Sequence, residues 1–117
     1  MNDNEPGWLV ACLCAAWCRT CDDYRTTFEA LARDIGVRAQ FRWVDIEDDE
    51  AALGDLDIVD FPTLLVAHGD TIHFLGPVLP HAAAARQLIE RAMRRELATP
   101  RDRMHEGLAA RLRALRG

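Results

Sequence analysis

The apolar positions along the chain change period at a few places, and these changes divide it into elements. Trp8-Leu-Val-Ala-Cys-Leu-Cys14 is an unbroken apolar run, the pattern of a strand buried on both faces. From Cys18 onward Tyr24, Phe28, Leu31, Ala32 and Ile35 recur at helical spacing, and Gly36 stands where a helix stops. Residues 39–45 alternate, with Phe41, Trp43 and Asp45 set against Arg42 and Val44, and read as a second strand. Residues 47–50 and the following Ala-Ala-Leu suggest a short helix with acids in its first turn, where the helix dipole favours them. Asp60-Phe-Pro-Thr-Leu-Leu-Val-Ala67 reads as a turn into a buried strand. His68-Gly69-Asp70 has hairpin chemistry, and residues 71–75 form the return before Gly76 and Pro77. Ala84, Leu88 and Ala92, with Ile89 and Met93 beside them, mark an amphipathic helix from His81 to near Leu97. Met104, Leu108, Leu112 and Leu115 mark another over 101–115.

The predicted order is strand, helix, strand, short helix, hairpin, helix, with a helical extension. A right-handed parallel βαβ unit followed by an antiparallel hairpin gives an α/β domain, a mixed four-stranded sheet with helices on both faces. Residues 1–97 form that domain and residues 98–117 the extension. The chain's 117 residues suffice for one core.

Charge narrows the function. The net charge is −5, and all 14 basic residues are arginine. Residues 1–85 hold the acidic excess and residues 86–117 a basic one. An acidic body argues against nucleic acid as a partner, since binding phosphate needs positive charge, and the basic tail reads as a solvated helix face. No run reaches the eighteen or so apolar residues of a membrane span, and residues 1–7 lack the basic start of a secretory signal. The expectation is a cytoplasmic protein with no membrane partner.

The four cysteines lie at 12, 14, 18 and 21. A structural disulfide framework spreads its cysteines to staple distant segments, so this bunching points to redox chemistry or metal. Cys18 falls where the first strand gives way to the first helix. There its sulfur meets unpaired backbone N–H groups and the positive helix end, the setting of an attacking sulfur. Cys21 follows one helical turn on, placed to attack a mixed disulfide held by Cys18. Cys12 and Cys14 share one strand face, and three readings stay open for them. They are buried small apolar residues, or auxiliary redox groups exchanging with Cys21, or they join Cys18 and Cys21 around zinc or an iron–sulfur cluster. The working expectation is no metal and no cofactor. His68, His73, His81 and His105 show no metal spacing and read as surface or hydrogen-bonded residues.

Ala16-Trp17-Cys18-Arg19-Thr20-Cys21 resembles the Trp-Cys-x-x-Cys signature of the thioredoxin family, and Phe61-Pro62-Thr63 resembles that family's Pro-Thr turn. The resemblance runs from about Trp8 to Leu97. It implies a thioredoxin fold that lacks the usual leading strand and helix and carries an extra C-terminal helix. It also implies thiol–disulfide exchange with protein substrates, Cys18 attacking and Cys21 resolving. Pro62 would be cis beside them, and Trp17, Phe61 and Pro62 would form the substrate-binding surface. A separate reductase would regenerate the dithiol.

Departures from the pattern are specific. Cys12 stands where the family carries a buried Asp, Trp43 where it usually carries a Lys, Cys14 where it carries a Trp, and Arg19-Thr20 where it carries Gly-Pro. The missing leading strand would expose the edge at 39–45, to be covered by the 101–115 helix or by a second copy, so the chain is expected to be a monomer or homodimer. A glutaredoxin-like use of glutathione fits less well, because glutaredoxins carry Thr-Val before their proline. A redox-sensing, metal-binding or assembly module on the same fold is the other alternative.

Overall fold

The computed structural model describes residues 7–54, 56, 58, 60–79, 81–97 and 107–115. Its strands are β1 (Trp8–Cys14), β2 (Ala39–Asp45), β3 (Thr63–His68) and β4 (Thr71–Pro77). Its helices are α1 (Arg19–Ile35), α2 (Glu50–Leu53), α3 (Ala82–Met93) and α4 (Leu108–Arg113), and a 3₁₀ turn (Gly36–Arg38) links α1 to β2. The sheet order is β2-β1-β3-β4. β1 runs parallel to β2 and antiparallel to β3, and β3 and β4 form the hairpin.

Period two sends alternate β1 residues to opposite cores. Val10, Cys12 and Cys14, with Leu64 and Val66, meet Tyr24, Phe28 and Leu31 of α1 and Ile89 of α3. Leu9, Ala11 and Leu13, with Val44 and Leu65, meet Leu53 of α2 and Leu108, Ala109 and Leu112 of α4. Helices on both faces explain why residues 9–14 are almost wholly inaccessible and carry no polar side chain.

The elements follow the sequence closely, with instructive exceptions. α3 ends at Met93 rather than near Leu97. Arg95 adopts a left-handed conformation (φ 61°), and the N–H groups of Arg95 and Glu96 donate to Ala92 O (2.9 Å) and Arg91 O (3.0 Å). That is a Schellman cap, with Arg where glycine is usual. α4 covers only part of the expected 101–115 helix, and residues 101–106 lie outside the described ones.

The helix at the C-terminal end packs on a sheet face, and Arg42 of β2 donates to its Arg113 O (3.2 Å). Its arginines are not a freely solvated stripe. Arg111 Nε donates to Ala52 O (2.7 Å), and the two terminal nitrogens of Arg113 donate to Gly69 O (2.7 Å) and Gly7 O (2.8 Å). The planar guanidinium fork serves two carbonyls at once, which a lysine ammonium on a single point cannot match in geometry. β2 is an outer strand of the four-stranded sheet.

Candidate functional site

Cys18 is the N-cap of α1, with extended backbone (φ −89°, ψ 115°) and no side-chain capping hydrogen bond. Its N–H donates to Ala15 O (3.0 Å) and its carbonyl accepts from Asp22 N–H (3.2 Å). The thiol is free and half-buried. Neighbouring Trp17 is 68% exposed. Its indole meets the ring of Phe61 edge-on, centroids 5.5 Å apart.

That contact joins two segments more than forty positions apart in the chain. Phe61–Pro62 is a cis peptide, as the resemblance implied. The turn is fixed by Thr63 Oγ1 donating to Asp60 O (2.6 Å), and Pro62 O accepts from Val78 N–H (3.1 Å). Cys18 and Phe61 pack against the same core cluster.

Cys21 is paired differently from the expected Cys18–Cys21 couple. It forms a disulfide with Cys14, with Cα atoms 5.9 Å apart. The reason is the face each residue occupies. Cys21 belongs to the row Cys21, Tyr24, Phe28, Leu31 and Ile35 that α1 lays on the sheet. Cys14, the last residue of β1, points up from that sheet face beneath it, and both are 1% exposed. Cys18 stands at the mouth of the helix, one turn earlier.

Cys12 lies deeper and is fully buried. Its Sγ is 3.7 Å from Cys14 Sγ. Since Cys14 is disulfide-bonded, the Cys12 thiol is the donor. Burial pushes that thiol far above its ordinary range, so it stays protonated. Trp43 pairs with Cys12 across the β1–β2 ladder and stacks obliquely on Phe28, centroids 5.8 Å apart. Arg25 covers the Trp43 ring at 5.1 Å. Neither a carboxylate nor an ammonium therefore occupies the positions where a buried Asp–Lys pair would lie. Among the described residues, no group of three or more His, Cys, Asp or Glu is arranged to hold a metal ion.

Two features were not read from the sequence. Tyr24 is 1% exposed and its hydroxyl makes no hydrogen bond. Burial and then the nearby Cys12 raise its pKa. Helical periodicity marks Tyr24 as core but carries no information about its hydroxyl. His73 is 7% exposed rather than a surface residue, and its Nδ1 is unpartnered. It packs against Trp8 (centroids 5.0 Å apart). Burial first, then Arg95 and His68, lowers its pKa from the ordinary 6.5.

A mixed sheet between two helical layers, with a cysteine capping the helix after the first strand and a cis-proline turn beside it, is a thioredoxin fold. No family model matches the chain, and no curated protein matches it. Solved structures do. Fasciola hepatica thioredoxin is 24% identical with a TM-score of 0.67, over 78% of this chain and 86% of that one. The germline-specific thioredoxin Deadhead of Drosophila melanogaster is 16% identical (TM-score 0.65; 74% and 81% covered). The Trx4 domain of ERdj5 is 20% identical (TM-score 0.62; 79% and 87% covered). At these identities the likeness establishes the fold, while function rests on the site.

Proposed function

We propose that this chain is a thiol–disulfide oxidoreductase that exchanges disulfides with protein substrates, acting as a reductant in the cytoplasm. The observation that carries this reading is the free, half-buried Cys18 at the helix mouth, flanked by an exposed Trp17 that touches Phe61 of the cis-proline turn. An accessible sulfur beside an aromatic platform and an extended backbone segment suits a peptide disulfide rather than a small metabolite.

The chemistry needs two sulfurs. Cys18 thiolate attacks one sulfur of a substrate disulfide and forms a mixed disulfide, and the other substrate sulfur leaves as thiolate. Cys21, in the form where its bond to Cys14 is open, attacks Cys18 Sγ and releases the reduced substrate. Trp17, Phe61 and Pro62 hold the peptide. With no buried Asp–Lys pair behind the site, protons leave through water. A separate reductase restores the dithiol.

Insulin-disulfide reduction tests this. The wild-type chain, with dithiothreitol as regenerating reductant, accelerates precipitation of the insulin B chain, and Cys18→Ser returns the rate to that of dithiothreitol alone. Activity persisting in Cys18→Ser overturns the assignment of the nucleophile.

A further inference from the structure

Three buried sulfurs adjoin one another near the half-buried Cys18. Cys21 is bonded to Cys14, Cys14 lies 3.7 Å from Cys12, and all three are buried. Cys18, beside them in sequence, is left as a free thiol. A Cys-x-x-Cys protein that pairs its second cysteine inward has a partner for it that the exchange reaction alone does not need.

We propose that Cys14 is a third catalytic cysteine, which takes the disulfide from Cys18–Cys21 and stores it inside the core as Cys14–Cys21, returning Cys18 to a free thiol. This rests on the exchange reading above. After one substrate is reduced, the outer disulfide joins Cys18 to Cys21. Cys14 attacks Cys21 Sγ as its proton is given up to the departing Cys18 sulfur. The Cys14–Cys21 bond forms, the Cys18–Cys21 bond breaks, and Cys18 leaves as thiolate and takes up that proton. No net oxidation occurs in this step, because the substrate disulfide has already supplied the oxidising equivalents.

The geometry supports each part. Cys21 is bonded to Cys14 under its helix face, and Cys18, one helical turn earlier, packs against the same buried cluster, so a single sulfur is placed to serve both bonds by exchange. The Cys12 thiol, held protonated by its burial, donates toward Cys14 and steadies the charge on that sulfur when it is reduced. Cys12 is thus a positioning residue for Cys14. The consequence is directional. The stored form leaves Cys18 as a single accessible thiol that can open a substrate disulfide but cannot release it by itself, so the oxidised protein retains mixed-disulfide partners.

Disulfide mapping decides the matter. Reduced protein is oxidised by a substoichiometric amount of insulin, so that no intact substrate disulfide is left to capture Cys18, then quenched with acid and alkylated. Tryptic cleavage after Arg19 and Arg25 then places Cys21 in residues 20–25 and the other cysteines in residues 1–19. Fragmentation of the linked peptides is expected to show Cys14 bonded to Cys21, with Cys12 and Cys18 alkylated. Alkyl label on Cys14 with Cys18 bonded to Cys21, in a protein that reduces insulin, overturns the stored form and leaves the exchange reading standing. A wild-type chain that fails to reduce insulin, yet forms Cys14–Cys21 with diamide, overturns the exchange reading and the catalytic role of Cys14 with it, and leaves only the pairing.

Two variants guard against misfolding. Cys14→Ala, checked for folding by circular dichroism, is expected to give an oxidised form in which Cys18 is bonded to Cys21 and so blocked from alkylation. Cys18→Ser, a near-isosteric change at a half-buried position, is expected to drop from three free thiols to one on treatment with diamide, as only Cys12, Cys14 and Cys21 remain. An unchanged count of three there also overturns the proposal.

Discussion

Leu112→Ala tests whether α4 is part of the folded core. Leu112 is fully buried, in a cluster with Leu9, Leu13, Val44, Leu53 and Leu108. The change removes three carbons, worth about 2.4 kcal/mol at roughly 0.8 kcal/mol each. The cavity left behind raises the cost into the range of about 2–5 kcal/mol found for buried leucines. A domain of this size has a total stability of about 5–15 kcal/mol, so the loss is a large fraction of it. A central value of about 3 kcal/mol lowers Tm by roughly 10–15 °C. Urea unfolding followed by far-UV circular dichroism is expected to give a lower midpoint with an unchanged slope. Leu79→Ala, at a position 66% exposed, is the control and shifts stability by less than about 0.5 kcal/mol. Insulin reduction per folded molecule stays at the wild-type level, because Leu112 lies in the cluster on the sheet face opposite the one that packs Cys18. A loss below about 1 kcal/mol for Leu112→Ala refutes the reasoning, since a side chain removed from a packed core cannot cost so little.

Other expectations follow from buried polar groups and the exposed platform. Tyr24→Phe deletes a buried hydroxyl that has no hydrogen-bond partner, so it stabilises the fold by about 1 kcal/mol; destabilisation in urea contradicts this. His73 is held neutral by burial, with its pKa lowered from 6.5. The unfolded chain therefore binds a proton first as pH falls, and stability declines below about pH 6.5 until the folded-state pKa is reached. His73→Phe should flatten that decline in unfolding midpoints between pH 7.5 and 5, and identical profiles for the two proteins would count against it. Trp17→Ala costs less than about 1 kcal/mol of stability, being mostly exposed with one aromatic contact. It raises KM for insulin while leaving reduction of a small aromatic disulfide unchanged, and an equal fall for both substrates removes Trp17 from substrate binding. Truncation after residue 97 uncovers the face of Leu9, Ala11 and Leu13 and is expected to cause self-association in sedimentation velocity; an unchanged profile is the contrary result.

Much of the architecture is legible in the sequence. The apolar run at Trp8–Cys14, the helical spacing from Tyr24 to Ile35 and the hairpin around Gly69 are local patterns, set by period and by backbone preference. The place of Cys18 at a strand-to-helix junction is local in the same way, because an N-cap depends only on where one period stops and another begins. The Cys14–Cys21 bond is not local. It depends on how α1 lies on the sheet, which brings Cys21 over Cys14 of β1. The position of α4 on the sheet face of Leu9, Leu13 and Val44, and the packing of His73 against Trp8, arise likewise from which surfaces the chain brings together. Spacing along the chain decided what each segment is, and packing between segments decided which sulfur meets which. Side-chain periodicity records the face a residue turns inward, but not the residue waiting there.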